Sequence, residues 1–161
     1  KSLTVNTQKI RISMVLCEIL NKCINEPNIL IYDFLVSAFK YLDQMSTEIV
    51  GFETLFIIKF CEILGISPFS NTAADMNNAM LDIEAGQFIH SSKHLNNKSL
   101  IPKRESVLLY KLSKLDFYEL ESCYITNTLN LRLLNYMILY MSTHLSDLTN
   151  LKSMKIIPDL V

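Results

Sequence analysis

Residues 47–65, TEIVGFETLFIIKFCEILG, are apolar almost all the way round a helix, because Glu53, Thr54, Lys59 and Glu62 are too scattered to give it one wide wet face. A helix of that kind has to be enclosed by other elements, so the stretch predicts a fold assembled around one central helix. Its end is marked as well: Gly65 suits the residue just past a helix C-cap, and Pro68 prevents the helix from resuming. With 3 Gly and 4 Pro in 161 residues, the chain lacks the turn formers that an all-β sandwich or barrel needs. A 50% hydrophobic chain of this length suits one core and one domain.

The other segments follow the helical period. Residues 8–25 place Ile12, Val15, Leu16, Ile19, Leu20 and Cys23 on one face, with Glu18 and Lys22 as an i,i+4 pair on the wet side. Pro27 breaks the chain before a second helix from about Ile29 to Leu42. Helical pattern returns from about Pro102 to Leu115 and from about Thr128 to Leu145, and a short amphipathic turn, NLKSMKIIPDL, closes the chain. Between them, LDIEAGQFI (residues 81–89) reads as a β-hairpin with Gly86 at its turn, leaning on helices through Leu81, Ile83, Phe88 and Ile89. The expected fold class is therefore all-α, a compact bundle of about six helices with a small β-hairpin insert at about 66–101, in which residues 71–79 are the more mobile part.

No apolar run approaches the roughly 18 residues of a membrane span, so a soluble protein is expected. Cys17, Cys23, Cys61 and Cys123 lie far apart in apolar stretches without metal or disulfide spacing, which predicts reduced, buried thiols and a cytoplasmic location.

Catalytic motifs are missing: the chain has no phosphate loop, nucleophile elbow or His-Glu-x-x-His. Asp82 and Glu84 stand two apart and are expected to share the outer face of the hairpin. His90 and His94 have an i,i+4 spacing that could serve a metal on a helix, but FIHSSKHLNN has no helical pattern and no third ligand. His144 is placed to meet the C-terminal carbonyls of its own helix. No enzyme, metal or cofactor is expected.

Charge is more informative. The net charge of -1 from 15 basic and 16 acidic residues hides a segment, residues 93–114, in which Lys93, Lys98, Lys103, Arg104, Lys111 and Lys114 face the single acid Glu105. That local balance of +5 leaves the rest of the chain near -6. At about 100° per residue, Lys103, Arg104, Lys111 and Lys114 fall within an arc of roughly 100°, with Leu108, Leu112 and Leu115 opposite. A basic stripe of this kind suits phosphate backbones or an acidic peptide, and Tyr110 at its edge could stack on a base. The alternative is an ordinary solvated lysine-rich face.

Taken in order, the helix ending LGISP, the hairpin LDIEAGQF, the late helix ending YMSTHL and the closing LKSMKIIPDL resemble the C-terminal helical domain of RecO, the bacterial DNA recombination and repair mediator. The earlier ILIYDFLVSAFKYLD is similar to that family's second helix, whose apolar run ends at a Leu-Asp pair. The resemblance covers nearly the whole chain. It implies an oligonucleotide-binding barrel preceding this domain, which fits a chain that starts at Lys1 in helical sequence. It further implies contact with single- and double-stranded DNA and with the acidic tail of single-strand-binding protein, in concert with RecR and in support of RecA loading and strand annealing; a monomer is expected. Many members carry a four-cysteine zinc site after the LG-x-x-P element. The corresponding positions here fall near Ala73, Met76, His90 and Lys93, none of them Cys, which argues against metal. Two rival readings remain: a purely structural domain bracing a neighbouring one, and a small enzyme using His90, His94 or the Asp82 and Glu84 pair.

Overall fold

A computed structural model describes residues 5–45, 50–70, 76–90, 99–148 and 150–154. Among them are five α-helices, two 3-10 segments and one antiparallel hairpin, so the fold is mostly helical with a small two-stranded insert.

Local chemistry sets the helix ends. Helix α1 (Thr7–Cys23) starts at Asn6, whose side chain accepts the Lys9 amide at 3.1 Å. Helix α2 (Ile29–Gln44) starts at Asn28, whose Oδ1 accepts from the amides of Leu30 and Ile31. Helix α3 (Phe52–Ile63) ends as expected: the Ile66 amide reaches the Cys61 carbonyl and the Gly65 amide that of Glu62, with Gly65 at φ +73°. That paired 6→1 and 5→2 closure needs a left-handed residue at Gly65.

Nine of the twelve residues of α3 are buried, which makes it the central helix. Helix α5 (Asn127–His144), capped by Thr126, packs against it and buries Leu133, Leu134, Met137 and Met141 in the core. On the α2 side the core is aromatic: Phe34 lies 4.9 Å from Phe56 and Phe52 5.0 Å from Phe117 between ring centroids. Phe117 belongs to a 3-10 segment, Phe117–Ser122, that periodicity does not announce. Its start is a capping box, with the Asp116 amide donating to Glu119 at 2.8 Å.

The hairpin pairs β1 (Ala79–Asp82) with β2 (Gln87–His90), in the register Ala79 to His90 through Asp82 to Gln87. Leu81, Ile83 and Phe88 are buried and Ile89 is half-buried. The returning chain adds a contact that a lone hairpin lacks. Ile83 donates to the Ser99 carbonyl and Ile101 to the Leu81 carbonyl, both at 2.9 Å, so β1 is paired on both edges. Of the stretch expected to be mobile, residues 71–75 lie outside the described residues. Met76–Asn78 form a 3-10 turn and Ala79 is fully buried.

Two expectations on α1 change. Cys17 is exposed, whereas Cys23 and Cys61 are buried and burial pushes their thiols up to about 11 and about 12. Glu18 and Lys22 do more than form a surface pair. Glu18 accepts from the amides of Lys152 and Ser153 and from the Ser153 hydroxyl, while Lys22 donates to the Asp147 carbonyl. No helix among the described residues is long and apolar enough to cross a membrane.

Candidate nucleic-acid interface

Helix α4 (Lys103–Ser113) follows Pro102 and carries the basic stripe. Its buried face is Glu105, Ser106, Leu109, Leu112 and Ser113, while Lys103, Arg104, Lys111 and the following Lys114 are exposed. The four cations therefore share an outer face. The apolar seam is rotated from the expected one: Leu109 and Leu112 are buried, and Leu108 and Leu115 only half-buried. The two serines make this possible by satisfying their hydroxyls locally, Ser106 on the Ile101 carbonyl at 3.0 Å and Ser113 on the Tyr110 carbonyl at 2.8 Å.

The only acid of the segment does not reach the stripe. Glu105 is buried and pairs with Arg132 of α5 at 3.3 Å. At the far end, Lys59 of α3 donates to the Ser113 carbonyl at 2.9 Å, placing a cation at the negative end of the α4 dipole. Two of the four outer cations have intramolecular partners. Lys103 donates to Asn78 Oδ1 at 2.6 Å, and Lys114 sits 4.9 Å from the Tyr110 ring centroid. Arg104 and Lys111 have no hydrogen-bond or ion-pair partner among the described residues. Tyr110 is half-buried, its ring edge-on to Phe88 at 6.2 Å, so its packing is against the hairpin and one face is taken by Lys114. Lys93, Lys98 and His94 lie outside the described residues.

Of the remaining candidates for chemistry, Asp82 and His144 are engaged in structural contacts. Asp82 is buried, contrary to the expected solvated pair with Glu84: its Oδ1 accepts from the Ser99 hydroxyl at 2.7 Å and from the amides of Glu84 and Ala85. The side chain thus shapes the turn, as Asx residues do. Glu84 and His90 are exposed. His144 bonds the Ile83 carbonyl across the hairpin at 2.6 Å rather than its own helix, because Tyr140, 4.5 Å away between ring centroids, and Gly86 hold the ring over the turn. Tyr140 completes the clamp with a 2.7 Å bond to the Ile66 carbonyl. Among the described residues no three His, Cys, Asp or Glu side chains gather as a metal site. Of the positions matched to zinc ligands, Ala73 and Lys93 lie outside them.

The pairing of Glu105 with Arg132 spans elements distant in sequence, and no local spacing announces it. The fold and the site define a mostly helical structure in which the exposed residues of α4 and its C-cap are the cations Lys103, Arg104, Lys111 and Lys114. No family model, no curated protein and no solved structure matches the chain.

Proposed function

We propose that this is a non-catalytic DNA repair and recombination mediator domain of the RecO type, using α4 to contact single- or double-stranded DNA, the acidic tail of single-strand-binding protein, or both. In that role it supports RecA loading and strand annealing together with RecR. The observation that supports the reading is the outer face of α4, whose charges, Lys103, Arg104, Lys111 and Lys114, are all positive and from which Glu105 is withdrawn into its pair with Arg132. Polyanion affinity then comes from counterion release, which contributes a slope of about -0.7 per phosphate contact on single strands in a plot of log K against log salt.

Replacing all four cations with Ala tests this. Short single strands should bind more weakly, with the salt slope shallower by up to about 3 if each cation meets one phosphate. Binding and slope equal to those of the unaltered protein would sink the assignment. A structural reading is favoured by one observation, the Lys103 bond to Asn78, which ties α4 to the insert. A domain that only braces a neighbour binds neither short strands nor an acidic tail peptide, so the same titration separates the two.

A further inference from the structure

The first turn of α2 exposes three large apolar side chains within four residues: Ile29 at 69%, Leu30 at 64% and Tyr32 at 62%. Single exposed aliphatics are ordinary on protein surfaces, whereas a contiguous patch marks an interaction surface. The local sequence holds them there. Asn28 fixes the first turn by accepting the Leu30 and Ile31 amides, Ile31 turns into the core, and Ile29 and Tyr32 stand i,i+3 on the outside.

Against them lies an open, predominantly apolar cleft of about 520 Å³, lined by Ile24, Pro27, Ile29, Ile31, Tyr32 and Leu35. A second cleft of about 380 Å³ overlaps it, sharing Ile24, Glu26, Pro27, Asn28 and Ile31. The first is within the roughly 300–1,000 Å³ of ligand-holding sites, and its open side favours a bulky segment over an enclosed small molecule.

Charge identifies the occupant. The cleft has one charged lining residue, Glu26, and the only other charge between Cys23 and Phe39 is the exposed Asp33. The nearest cations in sequence are Lys22, turned to the Asp147 carbonyl, and Lys40, about two turns of α2 beyond Asp33, and neither lines the cleft. An acid-flanked ligand is repelled there, and an apolar ligand flanked by cations is attracted. We propose that this cleft docks a basic amphipathic helix of a partner protein, with apolar residues on Ile29, Leu30 and Tyr32 and lysines or arginines against Glu26 and Asp33. Helix-in-groove recognition uses apolar anchors at i, i+3, i+4 and i+7, which such a cleft can take from one side. The cleft's one lining charge, Glu26, is opposite in sign to the α4 stripe and the cleft is carried by different elements, so it does not depend on the polyanion reading.

The test uses the full chain and a labelled helical peptide about 18 residues long, five turns, with Leu at those spacings and Lys elsewhere, beside the same peptide with Glu for every Lys. Fluorescence anisotropy should show the Lys peptide binding at least tenfold more tightly. Leu30→Ser with Tyr32→Ser should lose tenfold or more, and Glu26→Lys with Asp33→Lys should reverse the preference. Both apolar positions are exposed, so the double Ser variant should melt like the unaltered protein. Methyl shift mapping on the unaltered protein checks the location independently, with changes expected at Ile24, Ile29, Leu30 and Ile31. No binding of the Lys peptide, a preference for the Glu peptide, undiminished binding by the double Ser variant, or shifts concentrated elsewhere overturns the proposal. So does sedimentation in which the unaltered protein self-associates and the double Ser variant does not, since the cleft then belongs to a second copy of this chain.

Discussion

Glu53 is the residue whose chemistry departs furthest from its surroundings. It is buried in the first turn of α3, where its Oε2 has Asn130 Nδ2 at 3.5 Å, while Asn130 Oδ1 is taken by the Thr54 hydroxyl at 2.7 Å. Burial raises its carboxyl above the ordinary value, outweighing the hydrogen bonds that favour the anion. The folded state therefore holds this proton to higher pH than the unfolded chain does. Its contribution to stability is complete below the unfolded value of 4.5 and declines as pH climbs through the folded value. Glu53→Gln keeps the size and removes the titration. Denaturant melts should show the variant gaining on the unaltered protein as pH rises above 4.5, by at most about 1.4 kcal/mol per pH unit, with the gain levelling off above the folded value. Parallel stability curves from pH 4 to 8 would show that Glu53 is not the buried acid its environment describes. From sequence, Glu53 and Thr54 read only as scattered polar residues, because Asn130 lies far along the chain and reaches them through the packing of α5 on α3.

At the scale of elements, the helices were legible because their signals are local. Apolar period and caps such as Asn28, Thr126 and the Gly65 closure lie within a few residues of the ends they define. The 3-10 segment after α4 carried its own sign in Asp116 and Glu119, a capping pair without an apolar run behind it. The hairpin's support was not legible, since it depends on residues 99–101 returning to β1 and on Ser106 reaching back from α4. Ser106 accepts the Leu81 amide at 3.0 Å while donating to the Ile101 carbonyl, so one fully buried hydroxyl joins strand, return segment and helix. Ser106→Ala leaves a buried amide and a carbonyl short of partners, which costs about 1–3 kcal/mol. The variant should lose that much in denaturant melts, and amide exchange at Leu81 should accelerate more than exchange in α3. Equal acceleration in both would mean that the hairpin and core open as one unit and that Ser106 is not a local staple.

On the scale of the whole molecule, charge is sorted by what it holds. The basic stripe of α4 was legible because four cations repeat on a helical face. Where they go was legible only in part: Lys114 meets Tyr110 one turn back on the same helix, whereas Lys103 turning to Asn78, and the segment's one acid Glu105 turning to Arg132, depend on tertiary placement. Helix α1 shows the same principle at the opposite end of the chain. Lys9, buried, donates to the Asp43 carbonyl at 3.0 Å and to that of Met45, tying α1 to the end of α2; Lys22 and Glu18 reach residues 147–153. Glu18 thus links the first helix to the last described residues. Hydrogen bonds, first from the Ser153 side chain and then from the Ser153 amide, hold its carboxyl below the ordinary value. The sign is opposite to that of Glu53: the stabilisation is present above the unfolded value of 4.5 and is lost as pH falls through the folded one. Because only residues 152–153 are held, acidification should release this segment before the core unfolds. Amide exchange corrected for its intrinsic pH dependence should show protection at Lys152 and Ser153 falling on acidification while α3 stays protected. In Glu18→Gln the same two amides should be weakly protected at every pH, since a neutral amide oxygen is a poorer acceptor than a carboxylate. Unchanged protection in that variant would mean that packing of Leu148 and Leu151, both buried, holds the segment without the carboxylate.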